Sequence, residues 1–238
     1  MTKKDVRRQI KTAAKEKLAN NWIYLVLVTL PAVIFSWIGD RSFQLMDTVA
    51  LMHGEFPWVD GQSSYLSIGD GSAMSILAFF ASTAAMFSLL SFFRNGEKQP
   101  HPFLQSIEVY KTKGLFLGTI GIAILQFIWI FLWTWLLIIP GIIKSFSYSQ
   151  ALYVYKDAKE SGESIRFRDA ITRSRQLMDG HKWEYFVLQL SFLGWLILAN
   201  LVLGLGMIIL LPYMYLTFAG FYDYLKKDLA EKASTSAE

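Results

Sequence analysis

Residues 115–139, LFLGTIGIAILQFIWIFLWTWLLII, contain no charged side chain. About 20 helical residues cross the roughly 30 Å hydrocarbon core of a bilayer, so this run is long enough to span one. Five more apolar segments follow the same logic, at about 22–38, 73–93, 141–155, 183–203 and 207–224. The segment at 141–155 is the shortest and least apolar. Charged residues make up 18% of the chain, against about a quarter in a soluble domain. They are gathered in blocks between the apolar runs, the pattern of a polytopic membrane protein.

This pattern excludes several classes. With no cysteine, disulfides, thiolate metal sites and cysteine nucleophiles are ruled out. The net charge of +4 flanks apolar segments and builds no basic face of a soluble domain, so nucleic acid is not an expected partner. The basic stretch MTKKDVRRQIKTAAKEKLANNW precedes an apolar run that starts near Trp22. That run is longer than a signal-peptide core and has no A-x-A-like cleavage motif after it, so it reads as a retained span.

Loop charges orient the spans. Basic residues crowd the N-terminal arm, the 94–114 loop, the 156–182 loop and the C-terminal tail. The 39–72 loop has Arg41 alone against Asp40, Asp47, Glu55, Asp60 and Asp70. The positive-inside rule places the first four regions in the cytoplasm and 39–72 outside. Both termini are then cytoplasmic, and the chain between 115 and 155 must cross twice or return through a re-entrant stretch. Pro140 and Gly141 in IIPGIIK are expected to make the outer turn, because proline disfavours a continuous helix. Gly204 and Gly206 are expected to make the next one, with Pro212 kinking the last helix.

A weak repeat follows. Val6, Ile10, Ala13 or Ala14 and Leu18 share one helical face; Phe103, Ile107 and Tyr110 share another; Phe167, Ile171, Ser174 and Met178 share a third. The expected fold is all-α: a single integral membrane domain over 1–238, with six transmembrane helices in three hairpins. An amphipathic cytoplasmic helix precedes each hairpin.

RSRQLMDGHKWEYF (173–186) invites a catalytic reading, but histidine chemistry needs an oriented partner. The other histidines, His53 and His101, lie in different loops, and no paired metal-ligand motif is present. Arg166, Arg168, Arg173, Arg175, His181, Lys182 and Trp183 are therefore expected to be interfacial, with Gly180 as the break before the fifth span. The acidic outer loop lacks a calcium-loop pattern. Among polar residues inside the spans, Gln126, Gln150, Gln189 and Asn200 either hydrogen-bond between helices or line a polar path. Lys144 is placed to snorkel outward. Ser75, Ala78, Ser82 and Ala85 form a small-residue face for close packing within the protomer, or for a dimer contact.

LLIIPGIIKSFSYSQALYVYKD (136–157), AITRSRQLMDGHKWEYFVLQLSFLGW (170–195) and LPYMYLTFAGFYDYLKKD (211–228) together resemble a bacterial integral-membrane family known as domain of unknown function 975. LANNW before the first span fits as well, extending the likeness over nearly the whole chain. More distantly, the IPG turn and S-R-x-L-M-x-G resemble the non-catalytic membrane domain attached to some glycerophosphodiester phosphodiesterases. The resemblance implies an integral membrane fold and names no activity or cofactor.

The expected function is a non-enzymatic, multi-pass cell-membrane scaffold or accessory module, binding anionic lipid headgroups, a membrane-protein partner or a second copy of itself. The alternative is a small-solute transporter or channel whose path runs near Gln126, Gln150, Gln189, Asn200 and the broken helix at Pro140–Gly141.

Overall fold

A computed structural model describes residues 3–52, 70–136, 138–201 and 205–235, without the side chains of 39–52, 70–72, 106, 136, 138, 200, 201 and 235. His53, Glu55, Asp60 and Gly204 lie outside the described residues. The described residues are all-α: α1 (Lys3–Met52), α2 (Asp70–Asn95), α3 (Gln105–Glu108, between two 3-10 turns), α4 (Leu115–Leu136), α5 (Ile138–Tyr148), α6 (Ala151–Glu160), α7 (Phe167–Leu177), α8 (Lys182–Leu201) and α9 (Met207–Thr235). Four stretches are long and apolar enough to cross a membrane: Lys3–Ile38, Ala73–Asn95, Leu115–Trp135 and Met207–Ser234. These four helices point to a membrane location. The expected spans at 141–155 and 183–203 are not among them.

α1 holds two helices joined at Asn21, whose φ of −142° is non-helical. The break falls within LANNW and separates the basic amphipathic turns from the apolar ones. Val6, Ile10 and Ala14 are buried, with the Ile10 side chain at Gly220 of α9. This apolar face is therefore covered by protein. α1 also continues past Ile38 to Met52, so the start of the expected outer loop is helical. On α2, Ala78, Ala81, Ala84 and Ala85 are buried where it packs along α1, as small residues permit.

α5 and α6 together retrace α4. Gly141 meets Thr134, Gly118 meets the Tyr155 ring and Gly114 meets Lys159, while Gln126 donates to the Tyr148 carbonyl. Positions climb along one strand of this pairing as they descend the other, so the two runs are antiparallel. α4 is 22 residues long, about 33 Å at 1.5 Å per residue. The return is broken at Ser149–Gln150 into pieces of 11 and 10 residues, each too short to cross alone. α4 ends at Leu136 and α5 begins at Ile138, so Pro140 and Gly141 do not lie between the two helices as expected. Pro140 and Gly141 sit in the first turn of α5, where a missing N–H costs nothing because that group has no intrahelical partner.

α8 and α9 are also antiparallel, with Phe192 against Tyr213 at 5.3 Å and Tyr185 against Phe221 at 5.4 Å between ring centroids. Gly206 closes their junction: a Cβ there would lie 2.7 Å from the Ala199 Cα. α9 passes through Pro212 within one helix. The core joins Phe87 and Leu90 of α2, Ile122 of α4, Phe192 of α8 and Phe221 and Tyr222 of α9.

The stretch around α3 departs from expectation. Phe103 and Ile107 are exposed and only Tyr110 packs inward, donating to the Phe80 carbonyl at 2.9 Å. A run of 3-10, α and 3-10 turns does not keep one helical face, so the expected stripe is not formed.

Candidate anion-binding cleft and its supports

α7 supplies most of the cleft. Arg166 precedes it in extended conformation and its carbonyl accepts from the N–H groups of Asp169 and Ala170. Ala170, Ile171, Ser174 and Leu177 are buried, which turns Arg168, Arg173 and Arg175 outward. Phe167 reaches Gly121 of α4. Ser174 donates to the Ser147 carbonyl at 2.8 Å and accepts from the Gln150 N–H at 3.2 Å. One hydroxyl of α7 therefore bridges the broken ends of α5 and α6 and fixes the helix against them.

Two adjoining hollows lie between α7 and the α4–α5 pair. One, of about 360 Å³, is lined by Lys144, Ser147, Thr172, Arg175, Gln176, Asp179 and Lys182. The other, of about 250 Å³, is lined by Leu125, Trp129, Trp133, Lys144, Tyr148, Arg168, Ile171, Thr172 and Arg175. The Lys144 ammonium lies 4.7 Å from the centroid of the Trp133 ring. Arg175 and Lys182 act on it as like charges. Lys144 therefore does not stand apart near the outer surface, as expected. It joins residues of the 156–182 segment in one cleft, half polar and half aromatic. Among the described residues, Lys144, Arg168, Arg175 and Lys182 make no ion pair with a carboxylate.

The other expected interfacial residues separate from this group. Arg173 is held by both oxygens of Glu163, whose carboxyl is pulled below its ordinary range by that pairing. Trp183 is 71% exposed. His181, by contrast, is buried: Nδ1 lies 3.3 Å from Glu184, Nε2 lies 3.0 Å from Asp228, and the Tyr224 ring stands edge-on. It pins the start of α8 to α9. Gly180 has a φ of +77°, the left-handed conformation open to glycine, and its carbonyl accepts from Lys3 at 3.1 Å. Lys3 also pairs with Glu184 at 2.7 Å. Tyr185 is buried among Phe146, Phe218 and Phe221.

A second polar cluster went unread in the sequence. Arg94 binds Asp157 at 2.7 Å and Asp223 at 2.7 Å. Asp157 also accepts from Tyr222 at 3.0 Å and Lys226 at 2.8 Å. Burial would raise the Asp157 carboxyl, but its hydrogen bonds to Arg94 and Lys226 outweigh that and hold it below the ordinary carboxylate range. Nearby, the buried Lys156 donates to Ser91 at 2.9 Å and Glu160 at 2.6 Å. The i, i+4 spacing of Lys156 and Glu160 was the only local signal for either cluster.

The expected polar path is not assembled around a hollow of the cleft. Gln126 is engaged by the Tyr148 carbonyl, and Gln150 is buried with its Oε1 unpaired. Gln189 neighbours the Tyr185 hydroxyl. The side chain of Asn200 lies outside the described residues. None of the three described amides lines either hollow. Among the described residues no three His, Asp or Glu side chains form a metal-ligand set.

The comparisons with known proteins narrow the resemblance. No curated protein and no solved structure gives a match. The likeness to the glycerophosphodiester phosphodiesterase membrane domain is thus without support, and LANNW falls outside the matched residues. A family described as "Protein of unknown function (DUF975)" matches residues 123–228, from the middle of α4 into α9, and the chain is similar to that family across the cleft and the segments that build it.

Proposed function

We propose that the protein is a non-enzymatic membrane scaffold whose cytoplasmic basic surface binds anionic lipid headgroups and so presents the bundle to partner proteins. The observation that carries this reading is the sidedness of α7. Its apolar stripe is used up by α4, α5 and α6, which leaves Arg168, Arg173 and Arg175 facing outward beside Arg166. Each basic residue near an anionic surface contributes about 1 kcal/mol. Around the bundle, Leu117, Phe127, Trp135, Trp195 and Ile209 are all more than half exposed, and apolar side chains of this kind gain about 1.5–3 kcal/mol each on leaving water. In this reading the chain crosses six times as three hairpins, with α5–α6 as a broken crossing and α8 as the fifth, and both termini are cytoplasmic.

Replacing Arg166, Arg168, Arg173 and Arg175 together by glutamine is expected to weaken co-purification of anionic lipid at least tenfold. Unchanged lipid and partner association would overturn the scaffold reading. A reporter fused after Ser161 should report the cytoplasm, and an external signal would break the six-crossing topology. The unpaired Gln150 Oε1 favours a second reading, a small-solute path beside the break in α5–α6. Solute flux in proteoliposomes that is lost in Gln150→Leu would support it; absence of flux would remove it.

A further inference from the structure

We propose that the cleft between α7 and the α4–α5 pair is a discrete site for the phosphate of one anionic phospholipid, whose acyl chain runs along Trp129 and Trp133. This rests on the lipid-binding reading above and adds a single address to it.

Charge is the first reason. Arg94 is matched by Asp157 and Asp223, and the buried Lys156 by Glu160. Lys144, Arg168, Arg175 and Lys182 converge without such a match, and among the described residues the carboxylate that lines the cleft is Asp179. Like charges gathered at one place repel each other unless an anion joins them. A phosphate accepts from several guanidinium and ammonium donors at once. The pair Lys144 and Arg175, which line both hollows, would hold it.

The walls are the second reason, and they favour a lipid over a soluble phosphate. Trp129, Trp133, Leu125 and Ile171 form the apolar side of the 250 Å³ hollow. Trp129 shares one side of α4 with Leu132 and Trp133 by helical spacing, and Trp129 and Leu132 are exposed, inside a candidate span. A headgroup in the cationic half therefore continues directly onto a surface suited to its chain. Lys144 is seated over Trp133, which places the charge at the seam between the halves.

The full chain is purified in detergent, and retention of phosphatidylglycerol or phosphatidylcholine is counted by native mass spectrometry. Inorganic phosphate serves as a soluble competitor. At about 1 M salt, where the screening length is about 3 Å, diffuse surface binding is suppressed. Under those conditions one phosphatidylglycerol per chain is expected to remain. Lys144→Gln with Arg175→Gln should weaken it at least tenfold, while Lys98→Gln with Lys113→Gln, which removes the same charge at exposed positions outside the cleft, should leave it unchanged. Lys144→Arg should retain binding. Equal losses in the two double variants would overturn the site and leave the general lipid reading standing. No effect of either double variant at any salt would sink both. Equal retention of phosphatidylcholine, or complete displacement by millimolar inorganic phosphate, would overturn the assignment to an anionic lipid.

Discussion

Asp157 concentrates more of the bundle's polar bonding than any other residue considered above, since it gathers donors from α2 and α9 onto α6. Its folded-state pKa lies below the unfolded value, near 4. The stabilisation it contributes is therefore complete above the unfolded pKa and is lost as pH falls through the folded one. The thermal midpoint in detergent should drop as pH is lowered from about 5 to 2. Asp157→Asn should flatten that drop, and at neutral pH it should cost about 1–3 kcal/mol, moderated by partial solvent access. A mutant whose acid profile matches the parent would show that other carboxylates control it. Neither Arg94 nor Asp223 is near Asp157 in sequence, which is why reading along the chain did not join them.

The broken return of α5–α6 is an arrangement of elements that local sequence reading misplaced. Pro140 reads locally as a stop signal, yet it occupies a first turn that tolerates it. The actual break, at Ser149–Gln150, contains neither proline nor glycine. It persists because Ser174 and Gln126 satisfy its backbone groups from other helices, and such tertiary partners leave no mark on local propensity. Ser174→Ala would leave the Gln150 N–H and Ser147 carbonyl unpaired in a buried setting. It is expected to cost about 1–3 kcal/mol, seen as faster amide exchange across 147–152; unchanged exchange would show that water replaces the hydroxyl. Helix spacing gives a companion test. A Cβ at Gly118 would lie 1.8 Å from the Tyr155 ring, whereas one at Gly141 would lie 2.8 Å from the Thr134 Cα. Gly118→Ala should destabilise by about 1–3 kcal/mol and recover with Tyr155→Leu. Gly141→Ala should not recover with Thr134→Ala, because backbone remains in the way.

For the whole molecule, the block pattern of charge and apolarity was enough to read an all-α chain with several helices long and apolar enough to cross a membrane. The amphipathic stripes of Val6–Leu18 and Phe167–Met178 were legible from spacing, but not their destination. Spacing shows that a face is apolar and is silent on whether lipid or protein covers it. Here protein covers both. The cleft was half legible: Arg168 and Arg175 stood out in a basic loop, while Lys144 was distant in sequence and only the fold brings it across. Because the first turns of α1 lie over α9, Ile10→Asp should lower stability by more than about 3 kcal/mol, the expected cost of burying an unpaired charge. If those turns instead float on lipid, the thermal midpoint would barely move.

The seat of α1 also sets a timetable for biosynthesis. Lys11 reaches Ser191, 180 residues later, and Lys3 reaches Gly180. At roughly 5–20 residues per second, the ribosome needs roughly 10–40 s to make the surface on which the first turns finally rest. During that interval Val6, Ile10 and Ala14 have no α8 or α9 to cover them. The nascent membrane surface is the nearest shelter, so a helix that ends as part of the protein's interior would begin as a temporary lodger in the headgroup layer.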